Sequence, residues 1–248
     1  MISKIRSLAS ALFSLFSKEK LGVFHEAFKF TRFDAPFTPS WSQAGEDIVL
    51  DLVIAGRLKT GFYVDIGAHD PNRFSVTRKL YDRGWSGLDI DANNAYAEKF
   101  EIFRPRNTFL NCCVGFEPEY ELHIFDEGAV STVNINWKTN FQAAGFKKLK
   151  TVNVPGIKLR TILDDLDISN QIDFLNIDIE GADEEALRSL EFETLPLNRY
   201  PKWILLESEP PVAKAMLAGA VAYAIEFGYR AWCVLPTATL LKAPENNL

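Results

Sequence analysis

The chain has 248 residues, of which 47% are hydrophobic, 12% aromatic and 24% charged. Those proportions exclude a disordered chain, a collagen-like repeat and a small disulfide scaffold, and the length suits one large domain or one domain with an appendage. A net charge of −6 speaks against non-specific nucleic-acid binding, which needs a basic footprint.

Three cysteines, Cys112, Cys113 and Cys233, offer neither a paired framework nor a CxxC metal spacing. A reducing, cytoplasmic setting is therefore expected. No stretch approaches the ~20 apolar residues of a membrane span.

Residues 1–33 differ from the rest. Lys4, Arg6, Lys18, Lys20, Lys29 and Arg32 face only Glu19 and Glu26, and Ile5, Leu8, Leu12, Leu15 and Phe16 recur at helical spacing. A basic amphipathic helix there would pack on its own domain, or touch a protein partner or an anionic membrane surface peripherally. A secretory signal fits poorly, because Ser7, Ser10 and Ser14 interrupt the apolar run. Pro36 and Pro39 break the pattern. The expected organisation is thus a helical N-terminal extension over 1–39 and a main domain over 40–248.

From Ser40 onward short β-rich runs alternate with helical stretches, the mark of a parallel α/β sheet. Strands are predicted over 61–67, 85–91, 108–114, 119–125, 152–159, 171–178 and 203–207, with 229–235 and 239–242 closing the sheet as an antiparallel pair. Helices are predicted over 76–83, 95–103, 183–190 and 212–227, and the segment holding Ser131, Thr132 and Trp137 reads as irregular. About seven core strands make a Rossmann-like, doubly wound three-layer α/β/α sandwich.

In such a sheet, ligands sit beyond the carboxyl ends of the central strands. The turn after the first strand, Asp65-Ile-Gly67-Ala68-His69-Asp70-Pro71, is the first candidate. Gly67 allows a sharp turn and close backbone approach to a ligand, and Asp65 ends the strand at the same crevice. The turn leads to a helix whose start, near Ser75 and Thr77, would favour an anionic group such as a carboxylate. Asp91 ends the second strand 24 residues beyond Gly67, where an acidic side chain accepts hydrogen bonds from ribose hydroxyls. The GxGxxG that seats a pyrophosphate is absent. What fits is a nucleoside without phosphates, S-adenosylmethionine (SAM), rather than a nicotinamide dinucleotide.

The blocks Ser42-Gln43-Ala-Gly45-Glu46-Asp47, Tyr63-Val-Asp-Ile-Gly-Ala-His69, Leu80-Tyr81 with Gly84-Trp85, and Ile177-Asp-Ile-Glu-Gly181 occur in this order, and together they resemble the FkbM family. Its members are class I SAM-dependent methyltransferases acting on hydroxyls of sugars and other natural products. The likeness covers roughly 40–242. It implies that Asp65, Gly67, Ala68 and His69 belong to the cofactor turn, Asp91 to the ribose contact, and Asn111 and Cys112 to the adenine end. Gln43 and Glu46 would sit near the methionine end, and Asp178 matches the acidic residue ending the fourth strand. Cys112 stands where an Asp or Asn is often found.

The expected function is therefore O-methylation of a glycan or related hydroxylated small molecule. His69, whose unperturbed pKa of about 6.5 suits a general base, or Asp178 would take the hydroxyl proton. Asp178, Glu180 and Glu207 either salt-bridge neighbours or hold Mg2+, which prefers carboxylate and water oxygens. His123, Ser131, Thr132 and Trp137 are candidates for an acceptor pocket. The competing readings are an NAD(P)-dependent oxidoreductase and a non-catalytic module on the same fold.

Overall fold

A computed structural model describes residues 38–56, 58–168, 172–208 and 219–244. The expectations for residues 1–33, and for the first part of the helix predicted over 212–227, lie outside the described residues.

A seven-stranded sheet carries the molecule, in the order β3-β2-β1-β7-β8-β10-β9. Its strands are β1 (Phe62–Ile66), β2 (Ser86–Ile90), β3 (Thr108–Leu110), β7 (Phe174–Ile177), β8 (Trp203–Glu207), β9 (Arg230–Val234) and β10 (Ala238–Lys242). The first five pair in parallel, whereas β10 runs antiparallel to both β8 and β9. This is the Rossmann-like doubly wound arrangement. The order reverses at β1 and β7, which makes the carboxyl ends of these two strands the natural crevice.

Strand alternation sends successive side chains to opposite faces, and both faces are covered. Val64, Ile66, Leu88, Ile90, Leu175 and Ile177 pack with residues of α5 (Leu159–Asp165), α6 (Asp183–Arg188) and α7 (Gly219–Glu226). On the other face Tyr63, Phe174, Trp203 and Leu205 meet Leu50 and Ile54 from α1 (Glu46–Leu50) and the turn after it, and Leu80 of α2 (Arg78–Asp82). No helix among the described residues is long and apolar enough to cross a membrane.

A second, three-stranded sheet orders β4-β6-β5, built from β4 (Cys113–Val114), β5 (Glu119–Phe125) and β6 (Lys148–Ile157). The strand predicted over 108–114 therefore divides. Asn111 Nδ2 donates to the carbonyls of Asp91 and Ala92, both at 2.9 Å, and the chain leaves the main sheet there to pair with β6. The segment read as irregular contains α4 (Ile135–Ala143). Its first amides are capped by the Asn134 carboxamide, at 2.9 Å from Asn136 N and 3.3 Å from Trp137 N, and α3 (Ala97–Phe103) lies between β2 and β3.

Candidate functional site

In-register pairing places Asp89, Asp65 and Asn176 side by side across β2, β1 and β7. All three are buried, and they form one rung of a polar network. Asp65 Oδ2 accepts the Thr77 hydroxyl at 2.6 Å and Oδ1 accepts Asn176 Nδ2 at 2.9 Å. The buried Arg104 donates to Asp89 at 2.9 Å, to Thr77 Oγ1 at 2.8 Å and to the Pro71 carbonyl at 2.9 Å, and it also reaches Ser75. Asn107 closes the other Asp89 oxygen at 2.6 Å. Burial holds both Asp65 and Asp89 above the usual carboxylate range, Asp89 at about 7, although Arg104 pulls the other way.

This rung corrects three expectations. Ser75 and Thr77 are not a free helix start awaiting a ligand carboxylate, because Arg104 and Asp65 occupy their hydroxyls. Asp65 supports the crevice from below and lines neither cleft described next. Sequence reading missed Arg104 and Asp89 altogether. The available signal was a polar residue two places before the end of three strands: Asp65 before Gly67, Asp89 before Asp91, Asn176 before Asp178.

Two residues further along, the strand ends open into a cleft of about 680 Å³. Gly67, His69, Asp91, Cys112 and Asp178 line it together, so the structure unites five of the predicted residues. Gly67 has φ 83°, and a Cβ there would sit 1.9 Å from the Asp178 carbonyl. The glycine is thus demanded by the β7 end, a correction to its expected role of leaving room for a ligand. Ala68 is buried, its amide on the Ile90 carbonyl at 3.1 Å. Asp91 accepts the amides of His69 at 2.8 Å and Asn93 at 2.7 Å, and burial pushes its carboxyl up to about 6. Asn111 spends its amide on the Asp91–Ala92 backbone, so it shapes the turn rather than facing the cleft. Burial pushes the Cys112 and Cys113 thiols up to about 12, which keeps them inert.

His69 has φ 48° and packs edge-on to Tyr96 at 4.6 Å between ring centres. Burial lowers its pKa, so the neutral imidazole is favoured. Its Nδ1 and the hydroxyl of Ser131, which also lines this cleft, are buried without a hydrogen-bond partner among the described residues.

The small sheet roofs the cleft. Thr132 and Ser131 line it, and Thr132 Oγ1 donates to the Glu180 carbonyl at 2.9 Å while Asn134 Nδ2 donates to that of Gly181 at 2.9 Å. The Trp137 indole lies where a Gly181 Cβ would be, 2.0 Å from that position. Arg73 clasps Glu127 through two bonds, at 2.9 and 2.7 Å. His123 instead faces Thr151, with Nδ1 at 3.1 Å from its hydroxyl.

A second cleft of about 550 Å³ is lined by Gln43, Glu46, Asn176, Glu207 and Thr237 among others. Asp178 and Glu180 line both clefts, so the two meet at the end of β7. Glu46 is held below the usual range: burial raises it, but the backbone amides of Glu46 and Ala44 and the hydroxyls of Ser42 and Thr237 outweigh that. Asp178 is exposed at this shared rim, yet protein crowds it enough that burial, with repulsion from Asp183, Asp65 and Glu46, pushes it up to about 7. Water at the rim screens part of that repulsion. Carboxylate oxygens of Asp178, Glu180 and Glu207 all lie within 4.8 Å of one another.

A family model described as the methyltransferase FkbM domain matches residues 65–230. No curated protein matches the chain. Among solved structures, the chain is similar to a TehB-like SAM-dependent methyltransferase from Corynebacterium glutamicum ATCC 13032 Kitasato, at 10% identity over 81% of this chain and 88% of that one. The TM-score is 0.42, too low for that likeness to bear on the site.

Proposed function

The chain belongs to the FkbM methyltransferase family, and on that premise we propose that it moves the methyl group of SAM to a hydroxyl of a glycan or related natural product. The observation that carries this reading is the meeting of two clefts at Asp178 and Glu180, one fit for a nucleoside and the other for the methionine end and the acceptor. The first cleft pairs Asp91 with apolar Ile90, Ala92 and Leu122, and its orphaned His69 Nδ1 and Ser131 Oγ suit a ligand rich in hydrogen-bonding nitrogens and hydroxyls.

When bound, SAM supplies an electrophilic methyl on a sulfonium. Asp91 retains lone pairs for ribose hydroxyls beyond its two backbone bonds. Gln43 and Glu46 line the second cleft and would hold the methionine end. Most of the rate comes from alignment of the acceptor oxygen with the methyl carbon. Asp178, on the rim of both clefts, would take the proton of the acceptor hydroxyl. A pKa near 7 poises a base for that task. His69 faces only the nucleoside cleft and serves as its wall. The Asp178, Glu180 and Glu207 carboxylates offer oxygens that Mg2+ accepts, but nothing in the site beyond their proximity requires it. Free thiols at Cys112, Cys113 and Cys233 suit a cytoplasmic setting.

Calorimetry with SAM, S-adenosylhomocysteine and NADP, followed by transfer of labelled methyl to a glycan panel, tests this reading. Binding of the two adenosyl compounds and not of NADP is expected, with label on an acceptor oxygen. With an active acceptor, His69→Gln should turn over within a few-fold of wild type while Asp178→Asn loses at least about 100-fold. The reverse pattern would hand the base to His69.

A further inference from the structure

Asp91 is an acceptor with capacity left over. Each of its oxygens takes one backbone amide, from His69 at 2.8 Å and from Asn93 at 2.7 Å, and each keeps a lone pair. A vicinal diol fits that pair, because its two hydroxyls can give one proton to each oxygen. The diol oxygens then need donors of their own, which a carboxylate cannot supply.

Two unspent groups stand in the same cleft. His69 Nδ1 and Ser131 Oγ are buried without a partner among the described residues, and both side chains line the cleft with Asp91. The Arg73 backbone acts on the imidazole, but Nδ1 itself stays unpartnered. Burial favours the neutral ring, which has one N–H to give. His69 is tied to Asp91 through its own amide. Ser131 follows the tight turn Gly128–Val130, with its amide on the Gly128 carbonyl at 3.2 Å. That turn presses on the His69–Tyr96 pair: a Cβ on Gly128 would strike the Tyr96 hydroxyl and lie 3.5 Å from His69 Nε2. The roof segment that carries Ser131 therefore abuts the corner formed by Asp91 and His69. A buried hydroxyl and a buried ring nitrogen left unpaired are costly, and a ligand that satisfies both removes that cost.

We propose that Ser131 reaches from the roof to complete a diol-binding site: Asp91 takes both protons of a cis-diol, while Ser131 Oγ–H and His69 Nδ1–H each donate to one of its oxygens. The ligand class is a nucleoside with both ribose hydroxyls free. That this nucleoside is SAM rests on the methyltransferase reading above; the demand for a diol rests on these three residues. Ser131 then serves the cofactor, not the acceptor pocket expected from sequence.

Calorimetry of the full chain with S-adenosylhomocysteine and its 2′-deoxy and 3′-deoxy analogues tests this, on wild type, Ser131→Ala and His69→Phe. Wild type should bind each analogue at least about tenfold more weakly than the parent. Ser131→Ala should weaken the parent and one analogue about tenfold. The other analogue, which lacks the hydroxyl that Ser131 serves, should stay within about twofold, and His69→Phe should spare the opposite one. Equal weakening of all three ligands by either variant, which marks a structural role, or no weakening at all, overturns the proposal. So does a wild type that binds the deoxy analogues as tightly as the parent. Should a variant fail to fold, amide exchange on wild type decides. The parent should protect residues 128–133 more than at least one analogue does, and equal protection by all three overturns the proposal. If S-adenosylhomocysteine fails to bind while adenosine binds with the same hydroxyl dependence, the methyltransferase reading falls and the diol site stands; if neither binds, both fall.

Discussion

Asp65 on β1 and Asp178 just past the end of the neighbouring β7 lie close enough to repel each other, yet they inhabit opposite surroundings. Asp65 has both oxygens bonded and is sealed under Thr77 and Asn176. Asp178 stands beyond the end of β7, on the rim of two clefts. A step of two residues along a strand, roughly 6.6 Å, separates the rung that Asp65 shares with Asn176 from that rim. An acid near a strand end is therefore not a site by position. What distinguishes the two is whether the fold supplies donors for it, because a buried carboxylate with partners stabilises its neighbours while one without them awaits a ligand.

The sharpest break in this contrast is Arg104→Met. It leaves Asp89 buried without the ion pair it makes with Arg104, and loss of one partner of such a pair costs about 3–5 kcal/mol. Urea unfolding should show that loss, whereas Asp178→Asn should unfold no more easily than wild type. If Asp178→Asn proves the more damaging, the two regions have been assigned the wrong way round. Next comes Gly67→Ala, which places a Cβ 1.9 Å from the Asp178 carbonyl at φ 83°. Left-handed strain and overpacking together should cost roughly 2–4 kcal/mol, visible as a lowered melting temperature without any ligand.

Asp91→Ala probes the open side. Removal of a charged acceptor is worth ~1.5–3 kcal/mol, so calorimetry should find S-adenosylhomocysteine bound at least about tenfold more weakly; unchanged affinity would remove Asp91 from the cofactor site. The smallest effect is a pH dependence. Asp178 titrates at about 7 in the folded chain and in the ordinary carboxylate range, about 4, when unfolded. The folded state therefore holds the extra proton between those values, and stability falls as pH rises through that window. Unfolding curves measured from pH 4 to 7 should be flatter for Asp178→Asn than for wild type.

Much of the fold could be read in advance because parallel strands buried on both faces appear as compact apolar runs; β8 matches its predicted span residue for residue, and so does the antiparallel β5 of the small sheet. The helix Ile135–Ala143 escaped because it lacks a clear apolar stripe: Phe141 is buried while Ile135 is exposed. Its real signals were the Asn134 cap and the turn at Gly145, φ 97°. At the site, Gly67 and Asp91 were legible from strand-end geometry, whereas His69, Cys112 and Asp178 came with the family resemblance. The fates of Asp65, Ser75 and Thr77 were not legible, since Arg104, which claims Thr77 and Ser75, comes 27 and 29 positions later in the chain, and Asn176, which bonds Asp65, comes 111 later. Pattern and propensity report on near neighbours, and long-range ion pairs leave no periodicity.

The docking of the small sheet on the Glu180–Gly181 turn has an evolutionary corollary. That contact asks of the turn two carbonyl oxygens and the lack of a Cβ. Carbonyls are common to every residue, so the turn dictates few letters of the segment above it. Apart from these points, Ser131 and the Glu127 that Arg73 clasps, the stretch between β5 and β6 is in effect an exchangeable cartridge that can remodel what the roof admits, while the sheet beneath keeps its own side-chain interlock. Grafting a foreign loop that preserves a threonine, an asparagine and an indole at those three points, and the glutamate that pairs with Arg73, should yield a folded protein with altered selectivity.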